Sequence, residues 1–524
     1  GRHIKDRIFE MRLDRDLETA RECVVIISLL DNWGLISENE RKEMYRLLCD
    51  ASAKIRRETS RYIGSFLRKR VEGFIQGNRP FVVHDKSVLR YILVVRLLIE
   101  IVEKETDLPQ FGYFAMEYLL PEFGEFNDCF ILVECIVGRK SLALFEGEDV
   151  SLYEGHEALL LTMLYCTLMR LSNRVLTVDE ATIIKSTAEK KKDAEKYLTV
   201  SECIIPEMGE IYEAAKKVES GTKWALRVLS VLSKDTLLLE SNIERVTHVL
   251  QQASVDARSS DTEFVGAYLE VLNELNSADY PPLQKAVVSV ISEDARVLSE
   301  QVLPDGMVDE SLEVEEGRAL ELLYHYIRLE PLPLLRERFC AFMVPLRSSK
   351  VATALELQYL HILVYVFVWN KLESSSQSII YRDIEYNVAS LFDCISHWSN
   401  TKLSDSAVYE LMGIVNEAYF LLHGSESDNN VEALIDGLVV ECARRKLLQD
   451  PAVDSDYLYP DWSLETLLSV VETVNINKKV LQDISESLNR ITTPVAQKIR
   501  RVIASKKGQP DTSAVMELEA DPIE

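Results

Sequence analysis

The chain has 524 residues, a formal net charge of −26, 47% hydrophobic residues, and only 19 glycines and 15 prolines. That length exceeds the roughly 250–300 residues over which one core grows, so the chain divides into domains or extends as repeats. The low glycine and proline content weighs against turn-rich β architectures and glycine-loop nucleotide folds. The acidic balance weighs against a generally basic nucleic-acid binder, leaving only local patches whose field reaches roughly 10 Å.

The pattern along the chain is helix after helix. Leu17, Ala20, Cys23, Val24, Ile27 and Leu30 recur at steps of three and four, the stripe of an amphipathic helix over 16–30. Asp31-Asn32-Trp33-Gly34 breaks it. Ser37 followed three residues later by Glu40 has capping-box spacing and opens the next helix, which carries Met44, Leu47 and Leu48. A further helix carries Ile55, Tyr62, Phe66 and Leu67. Similar stripes predict helices over 88–103, 114–120, 130–137, 158–171, 197–217, 222–239, 243–253, 262–275, 283–303, 316–327 and 334–345. The series continues over 352–371, 384–398, 407–422, 431–448, 464–474 and 480–505.

Paired helices at roughly 40–47 residues per unit have the spacing of HEAT-type repeats. One helical hairpin cannot bury its apolar face alone, and stacking neighbours makes a continuous core with a long exposed surface. The expected fold is therefore all-α, a HEAT-like α-solenoid: a superhelical stack of antiparallel helical hairpins over residues 1–505. Polar stretches over 146–155, 177–193, 305–316 and 424–430 are expected loops, and 506–524 reads as a disordered acidic tail.

The chain starts at Gly1 in the middle of a helical pattern and is read as a fragment of a longer protein. Its nine cysteines form no CxxC pair and are expected to be reduced, mostly buried thiols. The five tryptophans are expected in the core. The longest apolar run, Tyr359–Trp369 interrupted by His361, is too short for a bilayer, which needs about 20 residues. No membrane partner is expected.

No catalytic signature appears. His156-Glu157 begins like HExxH, but Leu160 stands where the second zinc ligand would be, so His156 reads as a surface or cap residue. No enzyme activity, metal, cofactor or small-molecule substrate is expected. Two basic clusters stand out. Lys54, Arg56, Arg57, Arg61, Arg68, Lys69 and Arg70 are opposed within their segment only by Glu58. Lys54, Arg57 and Arg61 share one helix face, a spacing able to track phosphates, or else a solvated face of salt bridges. Lys185, Lys190, Lys191, Lys192 and Lys196 form the second cluster, in an expected loop leading into a helix and diluted by Glu189, Asp193 and Glu195.

The segment from His3 to Leu67 resembles the SA (stromalin) subunits of cohesin. His3-Ile4-Lys5-Asp6-Arg7-Ile8 and Met11-Arg12-Leu13-Asp14 match a family segment reading R-F-K-D-R-I-V-x-M-T-L-D, which closes the stromalin signature domain; residues 1–15 would be its end. Residues Ser37–Leu48 stand where the family has a helix like S-x-E-D-C-E-x-V-Y-x-L-V, and Ser186-Thr187-Ala188-Glu189-Lys190-Lys191-Lys192 where it has a basic loop like L-T-A-K-E-R-K-T. The resemblance implies a HEAT-repeat subunit of the cohesin complex in the nucleus, on chromosomes, supporting sister-chromatid cohesion and chromosome segregation. It implies the kleisin subunit and SMC proteins as partners. It also implies contact with double-stranded DNA or chromatin through Lys54, Arg56, Arg57, Arg61, Arg68, Lys69, Arg70, Lys185, Lys190, Lys191 and Lys192. His3 and Ile4 replace the Arg-Phe pair with which the family docks short aromatic peptides. Another helical-repeat scaffold, a transport adaptor or karyopherin-like carrier, is the alternative.

Overall fold

The computed structural model describes residues 2–302 except 51, 78–80, 104–110, 128, 151–154, 173 and 175–186. Beyond 302 it describes 313–332, 334–335, 358, 360–366, 369, 411–417, 436–437, 467–472, 476, 478–488 and 494–507. The chain is an all-α, HEAT-repeat-like solenoid of antiparallel helical hairpins, and it divides into two compact units, Gly1–Val290 and Ile291–Glu524.

In the first unit, α1 (Arg2–Met11) and α2 (Leu17–Asn32) form the first hairpin. Asp16 caps α2 by accepting the Thr19 N–H at 3.1 Å. Ala20, Cys23, Val24 and Ile27 are buried, as their spacing requires. The helix ends at Trp33, and Gly34 follows at φ 70, a left-handed conformation that glycine adopts without a Cβ clash. Trp33 therefore projects past the last core-facing turn and is 77% exposed, against the expectation of a core tryptophan. The capping box at Ser37 and Glu40 opens α3 (Glu38–Tyr45).

The long helix α4 (Ala53–Gln76) follows, then α5 (Lys86–Glu103), α6 (Phe111–Leu119), α7 (Phe130–Ile136) and α8 (Glu157–Leu171). Next come α9 (Thr187–Ile204), α10 (Met208–Ala215), α11 (Gly221–Ser230), α12 (Lys234–Leu237), α13 (Glu240–Ala257), α14 (Thr262–Leu275) and α15 (Pro281–Val302). Helix α2 packs on α4, α4 on α6, α6 on α8, α8 on α11 and α11 on α14, a continuous layer through the unit. Helices α7, α10 and α13 form a second layer against it. Gly64 lets α4 approach the turn after α6 closely: an added Cβ would lie 2.8 Å from the Cβ of Glu122.

In the first unit two predicted helices are split. The segment 197–217 begins ten residues earlier and breaks at Ile205-Pro206-Glu207, because proline carries no N–H for the helical ladder. Lys190, Lys191 and Lys192 consequently lie on helix α9, not in a loop. The segment 222–239 breaks between α11 and α12, where α9 satisfies the opened backbone. Tyr197 donates to the Val231 carbonyl at 2.6 Å, and the Ser233 N–H donates to Ser201 Oγ at 3.2 Å.

Buried tyrosines clasp neighbouring helices to carboxylates. Tyr62 of α4 donates to Asp31 of α2 at 2.9 Å, and Tyr212 of α10 to Asp256 of α13 at 2.9 Å. A buried hydroxyl needs such a partner, since desolvating it alone costs about 1–3 kcal/mol.

The second unit contains α16 (Glu313–Leu329), the helical residues 360–366, 411–417 and 467–472, then α17 (Lys478–Ser487) and α18 (Pro494–Lys507). The same clasp recurs there, Tyr326 donating to Asp294 at 2.7 Å. The predicted 480–505 helix is two, the second opening at Pro494, a favoured first helical position. The predicted helix over 384–398, and most of 334–345 and 431–448, lie outside the described residues, as do Trp398 and Trp462.

Candidate interaction surface

Helix α4 carries the first basic cluster because its apolar residues take one side. Ile55, Tyr62, Ile63, Leu67 and Val71 are buried, and most of the remaining positions point outward. Arg56 does not. It is 6% exposed, donates to the Asp50 carbonyl and lies 5.0 Å from the Tyr118 ring, so it works inside the fold. Arg57 is half-buried. The exposed members have acidic or polar partners. Lys54 pairs with Glu18 at 3.1 Å, Arg61 with Glu58 at 3.2 Å, and Arg70 with Glu100 at 3.9 Å. Arg68 donates to the Glu122 carbonyl at 2.6 Å and to its carboxylate at 3.3 Å, while Lys69 donates to the Asn32 side chain.

Behind this face lies a polar cleft of about 300 Å³. Arg41 holds Asp31 at 2.7 Å and covers the Phe66 ring at 4.3 Å, and the Tyr62 hydroxyl completes the carboxylate's shell. Burial and the neighbouring Asp31 push the Tyr62 hydroxyl pKa well up, so it stays a donor. These contacts fix α2, α3 and α4 together and leave no carboxylate poised for acid–base work in the cleft.

The second cluster lies in different surroundings. Lys185 is outside the described residues. Lys190, Lys191 and Lys192 are exposed, and among the described residues none of them forms an ion pair. Lys192 and Lys196, one turn apart, stand on the rim of an open groove of about 730 Å³ between α7 and α9. Its floor is apolar, with Ile131, Val133, Val200 and Ile204 buried and Phe130 56% exposed beside them. Glu134 of α7 and Glu207, in the turn that follows α9, are both held by Arg139, at 3.3 and 2.6 Å. Sequence reading missed this groove. The signal was Phe130, a large apolar residue at the open end of a helix, facing a lysine stripe at i, i+4 spacing.

A third cluster belongs to the second unit. Tyr324 stacks on His361 at 4.7 Å, Arg328 lies over Tyr324 and Tyr365, and Tyr365 donates to Glu417. Burial, reinforced by Arg328, lowers His361 to about 3 and His325 to about 4, so both stay neutral at pH 7. They are half-buried histidines packed among aromatic side chains. The i, i+4 spacings Tyr324/Arg328 and His361/Tyr365 were legible and unread.

His156 precedes α8 as its N-cap residue and lies 2.9 Å from Glu103, a cap position as its sequence context suggested. Among the described residues no group of three or more His, Cys, Asp or Glu could hold a metal. No described helix is long and apolar enough to cross a membrane. Cys23, Cys129 and Cys166 are buried and Cys203 is exposed, each outside any disulfide.

No protein-family model matches the chain, and no curated protein does. Solved helical-repeat structures do. The karyopherin Kap121p bound to the SUMO protease Ulp1p is 10% identical over 97% of this chain and 56% of its own, with a TM-score of 0.38. A structure from work on a phosphorylation switch between cadherin and beta-catenin is 11% identical over 97% and 95%, with a TM-score of 0.28. SYS-1 is 10% identical over 97% and 99%, with a TM-score of 0.18. The chain spans little more than half of the Kap121p chain it matches. Similarity at this level carries no partner or activity from those proteins to this one. What stands is the fold itself, a HEAT-repeat-like stack of antiparallel helical hairpins.

Proposed function

We propose that the chain is a non-enzymatic scaffold that holds an extended or helical segment of another polypeptide, and that it does so as an SA-type subunit of cohesin with a kleisin as the partner. The observation that carries the scaffold reading is the open apolar groove between α7 and α9, set in a run of stacked helices with no reactive cluster among the described residues. The finer reading is supported by the residues that resemble the SA family. His3–Met11 lies within one helix, Asp16 caps the next, and Ser37 with Glu40 builds the capping box, whereas the lysines aligned with the family's basic loop lie on helix α9.

A karyopherin-like cargo carrier is the second reading, and one observation favours it over chromatin contact. The net charge is −26, and Lys54, Arg61, Arg68 and Arg70 already face carboxylates. Around α4, an acidic surface with its bases committed suits basic polypeptide segments better than phosphates. DNA contact through α4 is thus the part of the SA reading that the geometry supports least.

Capture from nuclear extract on the immobilised chain separates the two. SMC and kleisin proteins among the captured partners are the result expected of an SA subunit. Capture of varied basic proteins with neither class present would replace that reading with the carrier.

A further inference from the structure

From the groove between α7 and α9 we infer a docking site for an acidic amphipathic helix of a partner protein, its apolar face seated on Phe130 and its carboxylates meeting Lys192 and Lys196. This inference deepens the scaffold reading and rests on it.

The residues of α9 that line the groove include Lys192, Lys196, Thr199 and Cys203, at steps of four, three and four. They form one stripe rising about 1.5 Å per residue, or roughly 16 Å in all, the length of three helical turns. A stripe of that length opposite a short apolar helix is the geometry of helix-in-groove recognition, in which the guest presents anchors at i, i+3/i+4 and i+7. Phe130 is the natural contact for such an anchor. It occupies the first position of α7, is 56% exposed, and sits beside Ile131 and Val133, which are buried. Burying an aromatic of this kind is what binding hot spots do.

Charge decides the guest. In a chain of net −26, bases on the surface ordinarily find intramolecular acids, as those of α4 do. Lys192 and Lys196 form no ion pair among the described residues although Glu195 adjoins them on the rim. The other two carboxylates lining the groove, Glu134 and Glu207, are paired with Arg139. At physiological salt, charge beyond about 8 Å is largely screened, so an arriving helix senses the lysine pair more than the chain's total. A duplex would also sense those lysines, but it has no use for an apolar floor beneath them, and that floor favours a polypeptide.

The test uses the full chain and three fluorescent probes read by anisotropy. They are a 15-residue amphipathic peptide with leucines on one face and glutamates on the other, the same peptide with lysine for glutamate, and a 30-base-pair duplex. Expected for the acidic peptide is a loss of about tenfold in affinity with Phe130→Ala and a similar loss with Lys192→Glu/Lys196→Glu. The basic peptide should bind the parent chain at least tenfold more weakly than the acidic one. Phe130 and the lysines are surface residues, and unchanged circular dichroism of the variants verifies folding. Equal binding of the two peptides, or acidic-peptide binding indifferent to both variants, overturns the proposal. So does a duplex affinity that falls with the lysine reversal while peptide binding does not, which would assign the lysines to phosphate. Capture of partners from extract by the same variants is read in parallel. Unchanged capture alongside failed peptide binding would leave the scaffold reading intact and remove only this site.

Discussion

Helices α4 and α9 both carry clustered positive charge in an acidic chain, and the folded structure treats them differently. On α4, Arg56 is drawn inside to a backbone carbonyl and an aromatic ring, and Lys54, Arg61, Arg68 and Arg70 each face a carboxylate of α2, α4, α5 or the turn after α6. On α9, Lys190, Lys191 and Lys192 stand exposed, and Lys192 joins Lys196 on the rim of an apolar groove. Charge density in the sequence ranks α4 first. Availability of charge after folding ranks α9 first. What separates them is which acids the packing brings near, and that depends on residues far away in the chain.

The sharpest way to break this comparison is at Arg56. Arg56→Ala leaves the Asp50 carbonyl without this donor and opens space beside Tyr118. The expected loss is about 2–3 kcal/mol in urea unfolding followed by circular dichroism. An unchanged midpoint would mean that Arg56 is free to serve a ligand. Gly64→Ala, on the same helix, sets a new Cβ against Glu122 and is expected to lower stability by about 1–3 kcal/mol.

The second unit adds a pH arm. His325 and His361 have folded pKa values near 4 and 3, below the ordinary 6.5. Between those values the unfolded chain binds more protons than the folded one, so stability is full above about pH 6.5 and falls as pH drops toward 4 and 3. Glu40 acts lower on the scale. Burial raises its pKa, but hydrogen bonds from Lys5 and Ser37 outweigh burial and hold it near 2, so its contribution is lost as pH falls from 4.5 through 2. Replacing His361 with Phe should flatten the loss between pH 6.5 and 4 in thermal melts and leave the Glu40 limb in place.

The smallest effects sharpen the comparison most finely. Alanine at Lys54, Arg61 or Arg68 should cost no more than about 1 kcal/mol each, as exposed ion pairs do. Alanine at Lys192 or Lys196 should change stability by less than about 0.5 kcal/mol, since neither forms an ion pair among the described residues. A larger loss at Lys192 than at Arg68, measured by the same urea curves, would reverse the two helices.

Local chemistry made much of the fold legible. The spacing of Ser37 and Glu40 marks the start of α3, and the stripes over 262–275 and 158–171 mark helices to within a residue. Where reading failed, the cause was either a nearby breaker or a distant partner. Pro206 splits one predicted helix, and the break after α11 is held by Tyr197 and Ser201 of a different element. Trp33 reads as core from its type and is exposed because the helix ends beneath it. The candidate site was half legible. Its lysines are visible as a run, but nothing local announces that Phe130, some sixty residues earlier, will form the floor beside them.

Hydrogen–deuterium exchange on the full chain with and without a captured partner protein tests the central claim most directly. The account predicts slowed exchange over 130–136 and 192–204 on partner binding, with 54–70 unchanged. Protection confined to 54–70, with the α7 and α9 segments exchanging as in the free chain, would contradict it.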